Sequence, residues 1–425
     1  MSWKQCALVG GAAWVGFSGL GATSAQAAEQ ITDYGVLEEE SDLFASFRTA
    51  SRWSGTQGSP RALKWSIVPD GTTLPSSWNE SSDDSSLIGW LDTIHNTSGG
   101  SDLTQRSWFS MFEDSYNRWD ELSGLQISYR PADDGASMPY NNGQAGVRGD
   151  MRVGGHRIDG VNGIVANNYY PSRGDMIIDT ADTFYTGNAI RERHFRNVLM
   201  HEVGHGIGLR HVRSDDFGQL MGTGSFHVFK GPQFDELLGV QRHYGDRFEE
   251  NGGNDTAATA TSAGVFASNG TWSIGTDATN TSLIALSDID FVSIDDDSDT
   301  DMFAFTLTQD GVIDALLTPY GPTYNEGREG GALSPLVTSA LSDLTLELVN
   351  SIGVSLVTSN ASAAGFAESF SGFAVAAGDY FLRVTGEANN IQVYGLDLVV
   401  AVPEPGTLLV LMGGGVLVGM RRRRA

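Results

Sequence analysis

The chain has 425 residues, with 52 acidic against 26 basic side chains and a formal net charge of −26. A surface that acidic repels nucleic acid and anionic membrane, so neither is expected as a partner of the mature chain. Hydrophobic residues make up 40 % and glycine fills 53 positions, which allows two or three domains with real cores and favours turn-rich β structure.

The first 28 residues read as a secretory signal. Lys4 gives a positive start, an apolar stretch runs from Cys6 to Leu20, and "SAQA", ending at Ala27, offers a small-x-small cleavage pattern. The only cysteine, Cys6, is lost with it, so the mature chain has no disulfide. Residues 29–50 are acidic and unpatterned, a leader. "ALKWSIVPDGT" (62–72) alternates and turns at Pro-Asp-Gly, a first strand. In 107–124, Trp108, Phe112, Tyr116, Trp119 and Leu122 recur at three- and four-residue steps, an amphipathic helix closed by Gly124. "LQISYRP" follows as a strand, and further strands are expected over 150–158, 163–170 and 174–179. A second helix is expected over 194–208, with Phe195, Val198, Leu199 and Val203 inward, and a third over 234–245. The Gly-rich segment 249–264 reads as a linker. Residues 265–400 hold no histidine and consist of short alternating runs bounded by Gly, Asp and Asn, an all-β pattern most simply met by a sandwich. The expected fold class is therefore α+β, a mixed twisted sheet with three helices over 51–248, followed by an all-β sandwich.

Three of the eight histidines fall inside "HEVGHGIGLRH", residues 201–211. His201 and His205 are four apart on one helix face and can grip one ion. Glu202 is free to take a proton from a water that the ion activates. His211 would lie about 240° further round an unbroken helix. The helix must therefore stop, and Gly208 can end it in the left-handed conformation. Three ligands leave one position open, the arrangement of a catalytic zinc.

The motif matches the H-E-x-x-H-x-x-G-x-x-H of the metzincin metalloproteases, whose methionine turn is matched by Met221. Within them the chain most resembles the matrixins over about 55–247. "FDELLGVQRHYG" resembles their C-terminal helix, "IDGVNGIVANNYYP" their F-D-G-P-G-G stretch, and "GDMIIDTAD" their G-D-x-H-F-D-x-D-E stretch. The resemblance implies a calcium site from Asp159, Asp179 and Asp182 with backbone oxygens of Gly160, Asn162 and Ile164. It also implies a substrate-pairing edge strand through Gly163, Ile164, Val165, Ala166 and Asn167. Asn167 and Ile177 stand where matrixins place structural-zinc histidines, so no second zinc is expected, and His156 reads as a polar loop residue. Thr223 replaces the tyrosine ligand of astacin-like relatives. Phe226 and His227 are candidate pocket residues. No latency cysteine is available.

"DSDTDMFAFTL" and "AAGDYFLRVTG" resemble the bacterial pre-peptidase C-terminal domain, an accessory unit in which Asp295 to Asp301 could bind calcium. At the C-terminus, Pro403-Glu404-Pro405, an apolar stretch Thr407–Met420 and Arg421–Arg424 resemble the PEP-CTERM sorting signal of Gram-negative bacteria (401–425). That implies export, cleavage by an exosortase-type enzyme, membrane contact only through this segment beforehand, and delivery to the cell envelope, surface or extracellular matrix. Together these features lead to an exported zinc endopeptidase acting on protein or peptide substrates, with Glu202 as general base. The alternatives are a non-catalytic envelope or matrix protein built on the same scaffold, and a zinc hydrolase of non-peptide substrates.

Overall fold

The computed structural model describes residues 48–75, 83–138, 143–161, 163–186, 189–215, 218–222 and 230–402. The signal segment, nearly all of the leader and the apolar and Arg-rich tail lie outside the described residues, as do Asn162, Thr223, Phe226 and His227.

The first half is α+β. Its sheet has the order β2-β1-β3-β5-β4. Here β1 is Arg61–Ile67, β2 Leu125–Tyr129, β3 Met151–His156, β4 Ala166–Asn168 and β5 Met176–Asp179. All neighbours pair parallel except β4, which runs antiparallel to β5 and is the last strand on that side among the described residues. Among the described residues four α-helices accompany this sheet: α1 (Leu87–Ile94), α2 (Phe109–Glu121), α3 (Ala189–Gly206) and α4 (Phe234–Tyr244). Three were expected. The additional one, α1, is short, contains Gly89, and starts at Ser86 without a side-chain cap, so the sequence gives it weak punctuation.

The spacing of the α2 aromatics explains its packing. Trp108, Phe112, Tyr116, Trp119 and Leu122 are all at most 1 % exposed. Trp65 of β1 stacks on Tyr116 with ring centroids 4.5 Å apart, and Phe112 meets Phe195 of α3 edge-on at 5.8 Å. The Trp119 indole N–H donates to the Met200 carbonyl oxygen at 3.0 Å, which ties α2 to the middle of α3. Such aromatic pairs add about 0.5–1.5 kcal/mol each beyond burial, so α3 is held on a rigid platform.

The second half is a β-sandwich. One sheet has the order β15-β14-β17-β10-β7: Ser355–Ser359, Leu344–Asn350, Gly378–Gly386, Thr300–Leu307 and Thr261–Phe266. The other is β16-β11-β18-β8: Glu368–Val375, Gly311–Pro319, Gln392–Ala401 and Gly270–Ile274, with β9 (Val292–Ile294) also pairing β18. Inward residues of both, such as Phe303, Leu346, Leu382, Ile313 and Leu398, form one core.

The two halves are not merely tethered. Leu122, Phe234, Leu237 and Leu238 share a buried cluster with Ile284, Phe291, Ile391 and Val393. The segment read as a linker contributes Glu249 and Asn254 to buried positions, and its end is already strand β7. A hairpin of the second half, β12 (Thr323–Arg328) and β13 (Ser334–Val337), adds to β6 (Val212–Ser214) of the first in the order β13-β12-β6.

Candidate metal centre and active site

Helix α3 carries His201, Glu202 and His205, and ends at Gly206. Gly208 then takes φ +105°, with Cβ space only 2.5 Å from the Ser51 carbonyl oxygen, so both backbone and room require glycine. The amide of Ala50 donates to the Gly208 carbonyl at 2.6 Å, and that of Arg210 to the Arg48 carbonyl at 2.8 Å. The turn so clamped returns His211 to the first two histidines, as the spacing predicts.

His211 Nε2 lies 3.2 Å from His201 Nε2 and 3.1 Å from His205 Nε2. The opposite ring nitrogens are occupied. His201 Nδ1 donates to the Leu220 carbonyl at 2.7 Å, His205 Nδ1 to the Leu209 carbonyl at 2.8 Å, and His211 Nδ1 to Glu329 Oε2 at 3.1 Å. Each ring therefore carries its proton on Nδ1 and turns an Nε2 lone pair toward the other two. Burial and the neighbouring His211 ring hold the His201 imidazole down at about 3, and His205 is lowered strongly for the same reasons. Three lone pairs packed this way repel unless a cation sits among them. Tetrahedral zinc with bonds of about 2.0–2.1 Å needs nitrogens about 3.3 Å apart, so the donor set fits that ion.

Glu202 is wholly buried at the same place. Met221 is 2 % exposed, and its sulfur lies 2.6 Å from where a side chain on Gly204 would begin, directly under the metal helix. Its amide donates to Glu236 Oε1 at 2.8 Å, and its carbonyl accepts from the Val212 amide at 3.0 Å. Sequence reading places Glu236 in the matrixin-like C-terminal helix but assigns it no role in the site. Burial, followed by the neighbouring Asp235, raises its carboxyl to about 8. It doubles as the reciprocal cap of α4 with Gln233, and its place three after the cap residue was the available signal.

The expected substrate strand is at the sheet edge but shorter than 163–168. Only Ala166–Asn168 are strand. The Ile164 amide is taken by Asp159, and the Val165 carbonyl accepts from the Asp179 amide and the Tyr185 hydroxyl. Gly163 sits against the Asp159 carboxylate. The edge runs beside α3, since Gly206 abuts the Asn168 side chain.

The expected calcium carboxylates accept backbone amides in the structure. Asp179 accepts the amides of Asp159, Gly160 and Ala181, Asp159 accepts that of Ile164, and Asp182 caps a short turn at Phe184. Each carboxylate keeps lone pairs beyond these bonds. Among the described residues, metal-capable groups of three converge at two places only: the three histidines, and Glu249, Asp255 and Asp299. Ile177 is wholly buried in an apolar cluster with Val68, Leu74, Met138, Ile158 and Ile164. His156 is a correction: it ends β3 and is 2 % exposed, a buried strand residue rather than a loop one.

With this geometry in hand, comparison with known families defines the class. Residues 93–245 match the matrixin family, a peptidase family, and residues 401–424 match the PEP-CTERM protein-sorting motif. The chain thus carries a stretch similar to the matrixin peptidase family and a protein-sorting motif. No curated protein matches it. Among solved structures, the 1.0 Å crystal structure of the pre-peptidase C-terminal domain of collagenase from Bacillus anthracis is 16 % identical. The match covers 33 % of this chain and 95 % of that one, at a TM-score of 0.18.

Proposed function

We propose that the chain is an exported zinc-dependent endopeptidase with Glu202 as its general base. The observation that carries this reading is that His211 Nε2 lies within 3.2 Å of the Nε2 atoms of both His201 and His205, beside a wholly buried carboxylate on the helix of those two. Zinc held by His201, His205 and His211 would supply polarisation of the scissile carbonyl and acidification of the attacking water. Glu202 takes the water's proton as the oxygen adds to the carbonyl carbon, then delivers it to the departing amide nitrogen. An extended peptide adds to the free edge of β4 at Ala166–Asn168, which sets its backbone alongside α3. Met221 and Gly204 fix the floor beneath the ion.

The sorting motif supports cleavage near Pro403–Pro405 by an exosortase-type enzyme and delivery to the cell envelope, surface or matrix. For calcium, Glu249, Asp255 and Asp299 form a further candidate site. Burial, then neighbouring carboxylates, raises Glu249 to about 10, Asp295 to about 8 and Asp299 to about 6. The adjoining Asn254 is wholly buried, and its side-chain amide has no hydrogen-bond partner among the described residues. Hard oxygen donors that need a counter-charge suit a divalent cation.

Casein cleavage by the mature chain tests the peptidase reading. Activity should disappear with a zinc chelator, return on adding zinc, and fall about 10²–10⁴-fold in Glu202→Ala. Full activity of Glu202→Ala would refute the assigned base.

A further inference from the structure

Two of the three histidines are oriented locally. His201 and His205 each donate Nδ1–H to a backbone carbonyl, one in the methionine turn and one in the turn after α3. His211 has a different partner: the Glu329 carboxylate, 118 residues downstream in the β-sandwich half. Among the described residues this is the carboxylate's one hydrogen bond, and half of its side chain is exposed (51 %).

Glu329 sits at the tip of the β12–β13 hairpin, in "GREGG". The tip is closed by the Gly331 amide donating to the Arg328 carbonyl at 2.8 Å, with Gly330 at φ +69°. The hairpin is fastened to the catalytic half on both sides of that tip. β12 pairs antiparallel with β6, placing Arg328 opposite Val212, the residue after His211. Arg213 donates to the Gly331 carbonyl at 2.6 Å. Asp215 accepts the Asn325 amide and side-chain amide at 2.9 and 2.6 Å. The Tyr324 hydroxyl donates to Asp235 of α4 at 2.6 Å.

We propose that Glu329 is a positioning residue of the metal centre, so that the β-sandwich half completes the catalytic site rather than accompanying it. A carboxylate acceptor on Nδ1 fixes the tautomer and ring angle of His211 and makes its Nε2 a stronger donor to a metal than a carbonyl partner does. The other two ligands keep their local acceptors when the hairpin is displaced, and His211 alone loses its own. The inference rests on the zinc reading above.

The test uses the full mature chain, Glu329→Ala and Glu329→Gln. Zinc affinity is measured by chelator competition, and the site's geometry by the visible spectrum of the cobalt-loaded protein. Glu329→Ala should bind zinc about 10–100-fold more weakly and show an altered cobalt spectrum. The melting temperature of its metal-free form should match that of the metal-free parent, because the tip side chain is half exposed. Glu329→Gln keeps an acceptor oxygen without the charge and should fall between the two. Glu329→Ala with parental affinity and spectrum would overturn this inference alone. A parent chain that binds no zinc would overturn the proposed function and this inference with it.

Discussion

Gly208 shows how much of the centre depends on single positions. Its φ of +105° and the Ser51 carbonyl oxygen 2.5 Å from the missing Cβ leave no room for a side chain. Gly208→Ala should destabilise the fold by about 1–3 kcal/mol and swing His211 out of register with α3. Urea unfolding together with zinc titration checks this; unchanged affinity would mean that the turn does not set the ligand's place. His201, His205, Gly208 and His211 were legible from sequence because the ion needs them within eleven residues, and helix geometry dictates where the helix must end. Glu329 was not legible. Its partner is 118 residues away, and nothing in "GREGG" distinguishes it from a solvated turn. The backbone amides that the aspartates at 159, 179 and 182 accept were not legible, because they depend on how the two loops fold together.

At the level of elements, α2, α3 and α4 were readable because their apolar spacing is regular, whereas α1 has eight residues, an internal glycine and no side-chain cap. The hairpin β12–β13 fell within the all-β stretch without being singled out, and its pairing with β6 depends on contacts between halves. Its attachment carries an acidic cost. Burial, then the adjacent Asp235, pushes the Glu326 carboxyl up to about 11, so the docked hairpin holds a proton there. A folded-state value above the ordinary one means the contribution is whole below about 4.5 and is lost as pH climbs towards about 11. Glu326→Gln imitates the protonated form and should flatten the loss of stability on the alkaline side, read as melting temperature against pH. An unchanged slope would place the titration elsewhere. Tyr324→Phe removes the donor to buried Asp235 and should cost about 1–3 kcal/mol, seen as a lower urea midpoint and earlier proteolysis near the hairpin.

For the whole molecule, the segment that looks like a linker is instead part of the junction. Asp246 accepts the Ser293 amide at 2.8 Å, and Glu249 lies with Asp255 and Asp299 at the seam of the two halves. Without a cation these carboxyls, raised above their ordinary range by burial, favour folding at low pH and lose that contribution as pH rises through about 6 to 10. Calcium should therefore raise the melting temperature more at pH 8 than at pH 5, and a chelator should reverse the gain. Equal shifts at both pH values would contradict a cation held by these groups. The central claim is the metal held by His201, His205 and His211, and the most direct measurement is the zinc content of the purified mature chain beside that of His211→Ala. About one zinc per chain is expected in the parent, with a severe loss in the variant; a parent chain free of zinc after exposure to it would contradict the account.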